Sequence, residues 1–297
     1  MAVLDVLGRV GIWTRQLDEQ HGTVAEKAVA ELEGLGYRSV WIPEGIHREV
    51  ISHATALLAA TESITVATGV ARVHARAPYA AALAQRFLAE RFPDRFVLGL
   101  GVSHPFIVER LLGQNFERPL ATMREYLDAM DATRAGPPTT TDAPRVLAAL
   151  RPKMLALAAD RAAGAHTYLS PVEHTAWARG IVGHGALLAP ALKVVLSADH
   201  DDPLAVARGA LKPSLRVPTY ADSLLEFGFD DADLAGDLSE RLVRALVAIG
   251  DEDAVLRRVE EHLAAGADHV CVEVLTGDDT TVPLDAWRRL APALTSR

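Results

Sequence analysis

Two β-branched, apolar runs, ITVATGV at Ile64–Val70 and FVLGLG at Phe96–Gly101, are separated by a segment with helical spacing. Pro78 suits the first turn of that helix. The helix would face the sheet with Leu83, Phe87 and Leu88. A strand, a helix and a second strand in this order predict a parallel pair joined by a helical crossover, because a tight turn cannot join parallel strands.

The same alternation continues along the whole chain. The strand candidates are Arg9–Thr14, Ser39–Pro43, Ile64–Val70, Phe96–Gly101, Arg145–Leu150, His166–Ser170, Leu192–Ser197 and His269–Leu275. Eight parallel strands with helices between them predict an α/β fold, a TIM (β/α)8 barrel, as a single domain over residues 1–297. Two connections are long enough to be insertions over the active site: Ser103–Leu120 after the fourth strand, and about residues 198–249 after the seventh.

Composition restricts the kind of partner. The 297 residues are 49% hydrophobic and 23% charged, with a formal net charge of −9. An acidic chain lacks the positive field that nucleic acids and acidic membranes require, so a small-molecule substrate is expected. Cys271 is the single cysteine and cannot form an intramolecular disulfide. With no signal-peptide pattern and no long apolar run, the protein is expected to be cytoplasmic.

In a TIM barrel the reactive groups lie at the C-terminal ends of the strands. These ends carry no His-x-His or His-Glu-x-x-His pattern, and we expect no metal site. The acidic run Asp199–Asp202 is expected to cap a helix near Pro203. Lys193 is expected near the start of its strand, away from the site, which argues against a Schiff-base lysine.

The Gly-Leu-Gly at Gly99–Gly101 lacks the third glycine of a dinucleotide-binding turn. A flat ligand that approaches the backbone explains these glycines, and Gly69, better than a dinucleotide does, but each glycine taken alone is more often a turn or bulge residue than a ligand contact.

Read together, several motifs resemble the bacterial luciferase-like superfamily, in particular its F420-dependent oxidoreductases. They are VWIPE at Val40–Glu44, ITVATGV, RFVLGLGVSHP at Arg95–Pro105, RPLATMREYLDAM at Arg118–Met130 and LAALRPKMLALAADRAAGAHTYLSP at Leu147–Pro171. The resemblance implies a barrel that holds coenzyme F420, or alternatively FMN, across its C-terminal mouth. It also implies a cis peptide at Gly69–Val70 that backs the ring.

The resemblance further implies roles for individual residues. Glu44 and His104 are the candidate catalytic groups for proton transfer, Glu44 without the neighbouring histidine of some relatives. Tyr168, Leu169 and Ser170 match the segment that holds the phosphate-bearing tail. The complete set of expected cofactor-binding residues is Trp13, Glu44, Gly69, Val70, Arg72, Gly101, Ser103, His104, Tyr168, Leu169 and Ser170.

The expected activity is hydride transfer between C5 of the deazaflavin and a small organic substrate, such as a carbonyl, an alcohol or an activated double bond. The alternatives are an FMN-dependent luciferase-like monooxygenase and, more distantly, a non-catalytic F420-binding barrel or a lysine- or metal-dependent lyase. Relatives commonly pair through flank helices, which implies a homodimer. The apolar stripe Ala54–Ala60 would contribute to that interface, although such a stripe is more often the face that packs on the sheet.

Overall fold

The computed structural model describes residues 3–134, 143–278 and 280–296. The predicted domain, 1–297, also includes residues 1, 2, 135–142, 279 and 297, which lie outside the described residues. No helix in these ranges is both long enough and apolar enough to cross a membrane.

The described chain forms ten strands that pair in parallel. They are β1 (Val10–Trp13), β2 (Ser39–Ile42), β3 (Thr65–Thr68), β4 (Ala71–Arg72), β5 (Phe96–Gly101), β6 (Arg145–Ala148), β7 (Gly164–Thr167), β8 (Leu187–Leu196), β9 (Val247–Gly250) and β10 (Val270–Val274). The order β10-β1-β2-β3-β5-β6-β7-β8 closes through a β10–β8 pairing. The predicted eight-stranded TIM barrel is therefore confirmed.

Helices follow the strands along the chain. They are α1 (Val3–Leu7), α2 (Gln16–Glu19), α3 (Gly22–Gly34), α4 (Val50–Ala59), α5 (Pro78–Arg91), α6 (Pro119–Ala132), α7 (Pro152–Arg161), α8 (Val172–Val182), α9 (Pro203–Leu215), α10 (Pro218–Glu226), α11 (Asp231–Leu234), α12 (Glu240–Leu246), α13 (Glu252–Ala264) and α14 (Leu284–Thr295). Pro78 is at the start of α5 as predicted, but Phe87 is 52% exposed and does not face the sheet.

The seventh barrel strand differs most from its prediction. β8 begins at Leu187 instead of Leu192, and all of its residues are buried. Pro190 ends the pairing of β8 with β7, and β10 pairs from Ala191 onwards. Since proline cannot donate a ladder hydrogen bond, its position at this change of partner allows one long strand to pass through it.

The long connection after β8 contains more structure than a loop. It forms helices α9 to α12 and ends in β9, which pairs in parallel with the second half of β8. Leu211, Leu224 and Leu242 from these helices share a core with Val195 of β8. This packing places the start of α10 beside the C-terminal ends of the barrel strands, where it contributes to the cavity described below.

Candidate functional site

A non-prolyl cis peptide joins Gly69 to Val70 at the end of β3, as the sequence resemblance implied. The Gly69 amide donates to the carbonyl of Ile42 at 2.8 Å, and the Trp13 indole Nε1 donates to the carbonyl of Gly69 at 3.0 Å. A Cβ atom on Gly69 would lie 2.7 Å from that indole nitrogen. Glycine is therefore required for the Trp13 contact that supports this bulge.

The glycines of β5 accommodate the same bulge. A Cβ on Gly99 would lie 1.9 Å from the carbonyl oxygen of Thr68, and one on Gly101 would lie 2.5 Å from Cγ2 of Val70. Thr68 also exchanges side-chain hydrogen bonds with the Gly99 backbone, at 2.7 and 2.8 Å. The close packing of the bulge therefore explains why both positions are glycine. Gly101 also lines the cavity that opens beside the bulge.

Glu44 supports the far side of the bulge. Its Oε2 accepts from the backbone amide of Arg72 at 2.6 Å and from Nη1 of Arg76 at 3.1 Å, and its Oε1 accepts from Nη2 of Arg76. The Glu44 and Arg76 side chains are both largely buried. The Arg72 guanidinium donates to the carbonyl of Gly45 at 2.9 Å. The carboxylate therefore fixes the chain that leaves the bulge.

A cavity of about 330 Å³ opens beside the bulge at the C-terminal ends of β5, β6 and β7. Five predicted site residues line it: Val70, Gly101, Ser103, His104 and Tyr168. The other six are not in the lining that the described residues form: Trp13, Glu44, Gly69, Arg72, Leu169 and Ser170. Most of the surface is apolar, with contributions from Ala148, Met154, Leu120 and Phe116.

His104 lies in the cavity wall opposite a residue from the connection after β8. Nε2 of His104 is 3.3 Å from the hydroxyl of Tyr220, which belongs to α10. Burial lowers the pKa of His104, and the charge of Arg72 lowers it further. Burial raises the pKa of Tyr220. The wall therefore carries a neutral imidazole facing a protonated phenol.

Sequence reasoning missed Tyr220. A signal existed, because it is the one tyrosine among residues 198–249. Tyr220 and His104 are 116 residues apart in the sequence, and no local pattern predicts that the fold brings them together.

The cavity wall also carries two cationic side chains. Arg151 and Lys153, at the start of α7, both line it. Nη2 of Arg151 binds Glu226 at 2.6 Å, whereas its Nη1 is buried and has no hydrogen-bond partner within the described ranges. Neither residue belongs to the site predicted from the sequence. The signal for Arg151 was the Arg-Pro-Lys run that directly follows the fifth predicted strand.

The exit of β7 is more enclosed than expected. Tyr168 reaches the cavity, but Leu169 is buried in the core under α9 to α12, with a positive φ of 54°. The Ser170 hydroxyl is 2.9 Å from that of Thr167. The expected roles of Leu169 and Ser170 in holding a phosphate-bearing tail therefore remain predictions, whereas Arg151 and Lys153 line the cavity.

Lys193 is not at the start of its strand, because β8 begins at Leu187. Its Nζ lies 2.6 Å from Oε2 of Glu273 and 4.8 Å from the ring centre of Tyr168. Both side chains of the ion pair are buried. The argument against a Schiff-base lysine now rests on this buried ion pair with Glu273, which occupies Nζ, and no longer on strand position.

Two acidic residues of the run after β8 form a helix cap and an ion pair. Oδ1 of Asp202 accepts from the amide of Ala205 at 2.9 Å and caps α9, as predicted. Asp199 binds Arg289 at 2.6 Å.

A separate group, Asp18, Glu19 and His47, places its ligand atoms within 4.8 Å of one another near the ends of β1 and β2. Glu19 and His47 in this group are exposed and paired with each other at 2.9 Å.

Known proteins provide independent information on the chain. It is 30% identical over 183 residues to a Mycobacterium tuberculosis protein that is provisionally named a coenzyme F420-dependent oxidoreductase. The match covers 51% of this chain and 52% of that protein, so the chain spans about half the length of the curated relative.

Two solved structures share the fold. An F420-dependent secondary alcohol dehydrogenase with an F420–acetone adduct has a TM-score of 0.77 at 16% identity, covering 96% of this chain and 98% of its own. The oxygenating constituent of the 3,6-diketocamphane monooxygenase of Pseudomonas putida, with FMN, has a TM-score of 0.72 at 16% identity, with 97% coverage of both chains.

A family model described as luciferase-like monooxygenase matches residues 10–269, which include every strand of the barrel except the final one, β10. Together with the closed barrel and the cis Gly69–Val70 bulge, this match identifies the chain as a member of the luciferase-like monooxygenase family.

Proposed function

We propose that this protein is an F420-dependent oxidoreductase that transfers a hydride between C5 of the deazaflavin and a small organic substrate. The observation that carries the proposal is the position of the cavity. Its wall includes Val70 of the cis Gly69–Val70 bulge and two cations, Arg151 and Lys153.

The residues present fit such a coenzyme. A flat ring system needs a smooth, apolar wall, and Val70, Gly101 and Ala148 form one beside the bulge. An anionic tail needs donors, and Nη1 of Arg151 is a buried donor without a partner among the described atoms. An unpaired buried donor costs free energy, which a bound phosphate or carboxylate oxygen would recover.

Bound F420 would supply the hydride chemistry at its C5 atom. The protein would orient the ring against Val70, hold the anionic tail with Arg151 and Lys153, and exclude water with Thr219 and Tyr220 of α10. His104 faces the cavity and is our candidate for proton transfer. Glu44 keeps its proposed catalytic role as a prediction, with its carboxylate held by Arg72 and Arg76.

Coenzyme titration tests the proposal. The fluorescence of F420 should be quenched on binding to the purified protein, with a lower dissociation constant than that of FMN. Arg151→Gln and Lys153→Gln should each weaken F420 binding by about tenfold, because a charge-assisted contact contributes about 1.4 kcal/mol. Lys212→Gln is the matched control, since Lys212 pairs with Asp237 away from the cavity. Absence of F420 binding by the wild type would contradict the proposal.

The second candidate is an FMN-dependent monooxygenase. It is supported by the fold of the FMN-bound Pseudomonas putida enzyme, and the same cavity would accept the FMN ring and phosphate. Tighter binding of FMN than of F420, with oxygen consumption when a flavin reductase is added, would favour this candidate.

A further inference from the structure

We propose that Tyr220 is a catalytic residue that exchanges a proton with the substrate oxygen, and that His104 relays this proton to and from solvent. The inference rests on the proposed function and names the residues that carry its proton transfer. It also gives a chemical role to the connection after β8, to which Tyr220 belongs.

Geometry brings the two groups together at the cavity. Both residues line it, and the Tyr220 hydroxyl is 3.3 Å from Nε2 of His104. The Tyr220 ring meets the His104 ring edge-on at 5.3 Å and the Tyr168 ring edge-on at 6.1 Å. Two aromatic neighbours therefore hold the phenol ring, and its hydroxyl is directed at the imidazole.

The surrounding charges determine which partner holds the proton at rest. Arg72 faces His104, and Lys193 of β8 acts on Tyr220 from the barrel interior, where Glu273 neutralises it. Tyr168 of β7 completes the surroundings of the phenol. Burial lowers the pKa of His104 and raises that of Tyr220, so at neutral pH a protonated phenol faces a neutral imidazole. In the tautomer with the proton on Nδ1, which the proposal requires, Nε2 accepts the hydrogen bond of the phenol.

In the direction of alcohol oxidation, the substrate hydroxyl gives its proton to Oη of Tyr220 while the phenol proton passes to Nε2 of His104. Bound F420 would accept the hydride released from the substrate C–H bond as the C=O bond forms. His104 then releases its proton to solvent. Carbonyl reduction reverses each transfer, with the carbonyl oxygen protonated by Tyr220 and the phenol reprotonated by His104.

The test combines kinetics with a measurement that needs no turnover. We compare wild type with Tyr220→Phe, His104→Gln and Tyr79→Phe. Each protein is measured for F420 affinity, for oxidation of 2-propanol with oxidised F420, and for reduction of acetone and cyclohexenone with reduced F420. The pKa of His104 is followed by NMR of the imidazole signals, assigned by their loss in His104→Gln. Tyr79 is an exposed tyrosine of α5 and is the matched control.

Tyr220→Phe keeps the ring and removes the hydroxyl. We expect kcat to fall by about 100-fold, the lower end for a lost general acid–base group, with F420 affinity and KM within about twofold of wild type. The pKa of His104 should rise, because the neutral ring loses a donated hydrogen bond. Tyr79→Phe should change none of these values. If Tyr220→Phe does not fold, His104→Gln must show the same fall in kcat.

The outcomes separate the two proposals. The role of Tyr220 alone is overturned if the wild type binds F420 and turns over a probe while Tyr220→Phe retains kcat within about threefold. It is also overturned if Tyr220→Phe leaves the pKa of His104 unchanged. Wild type that does not bind F420, or that binds it and turns over none of the probes, overturns both the proton relay and the proposed hydride transfer.

Discussion

At the scale of single residues, Glu44 joins three segments of the mouth. Its carboxylate accepts from the Arg72 amide and from the Arg76 guanidinium, and Arg76 also binds Glu49 at 2.9 Å. The Arg76 side chain is 10% exposed. Removing the Glu44 charge would leave this largely buried cation with the half-exposed Glu49 as its carboxylate partner, and weakening a buried ion pair in this way costs free energy.

Glu44→Gln should therefore destabilise the protein by about 3 kcal/mol, measured as the free energy of unfolding in urea. The control is Glu125→Gln, which removes an exposed and loosely paired carboxylate 3.7 Å from Arg118 and should change the stability by less than about 0.5 kcal/mol. An unchanged unfolding free energy in Glu44→Gln would refute the supporting role, and a loss of kcat in the folded variant would support the catalytic one.

At the scale of elements, β5 and the end of β3 are complementary in shape. The side chain of Val70 occupies the space where Gly101 has no Cβ, and the carbonyl of Thr68 occupies the corresponding space at Gly99. The glycines of β5 therefore determine how closely the bulge packs on the neighbouring strand, and with it the position of the Val70 wall in the cavity.

Gly101→Ala tests this packing. The new Cβ would lie 2.5 Å from Cγ2 of Val70 and must displace it, at a cost of about 1–3 kcal/mol. We expect a lower melting temperature and an F420 affinity reduced by about tenfold. Gly180→Ala in α8 is the control, because its Cβ meets nothing within 4 Å and alanine favours a helix by about 1 kcal/mol. Equal melting temperatures for the two variants would disprove the packing argument.

At the scale of the whole molecule, the buried interior contains neutral histidines. Burial lowers the pKa of His166 and of His269 to about 4, and both belong to the barrel interior around Trp41. His53 and His262, on flank helices, have pKa values lowered to about 4 and about 3. The unfolded chain, with ordinary histidines, binds more protons than the folded chain between about pH 6.5 and 4.

Stability should therefore fall as the pH is lowered through this window. The expected loss is about 2 kcal/mol for each such histidine between pH 7 and pH 5. Urea unfolding as a function of pH measures it. In His269→Gln the slope of the unfolding free energy against pH should become shallower, by an amount equivalent to up to about one bound proton. His184→Asn, at an exposed position, should leave this slope unchanged. A slope in His269→Gln equal to that of wild type would argue against the assignment.

We also propose that the protein forms a homodimer through the flank of the barrel. The predicted stripe Ala54–Ala60 contains Ala54, Leu57 and Leu58, which are buried within the same chain. The next helix, α5, instead exposes Tyr79 at 55% and Phe87 at 52%. Large exposed apolar side chains on one helix are typical of a protein interface.

Phe87→Glu should convert the dimer into a monomer, because a charge at the centre of an apolar interface is costly to bury. Light scattering gives the mass in solution, and Val24→Glu is the control, since Val24 is exposed on a different flank helix. A wild-type mass of one chain would contradict the proposal.

Much of the fold could be predicted from the sequence. Apolar runs separated by helical spacing gave the count of barrel strands, and the motif around Gly69 indicated the bulge. The sequence did not indicate that β8 continues through Pro190 or that β9 exists, because both depend on which strand lies alongside. Local patterns contain no information on such partners.

The sequence alone therefore determined the alternation of strands and helices, the acidic charge and the motifs of the family, all of which reside in neighbouring residues. The tertiary structure decided which strand-end side chains face the cavity. Glu44 turns to Arg76, Lys193 to Glu273 and Tyr220 to His104 across separations of 32, 80 and 116 residues. Closure of the barrel and the packing of α9 to α12 create these pairs, and side-chain chemistry follows from the partner that folding supplies.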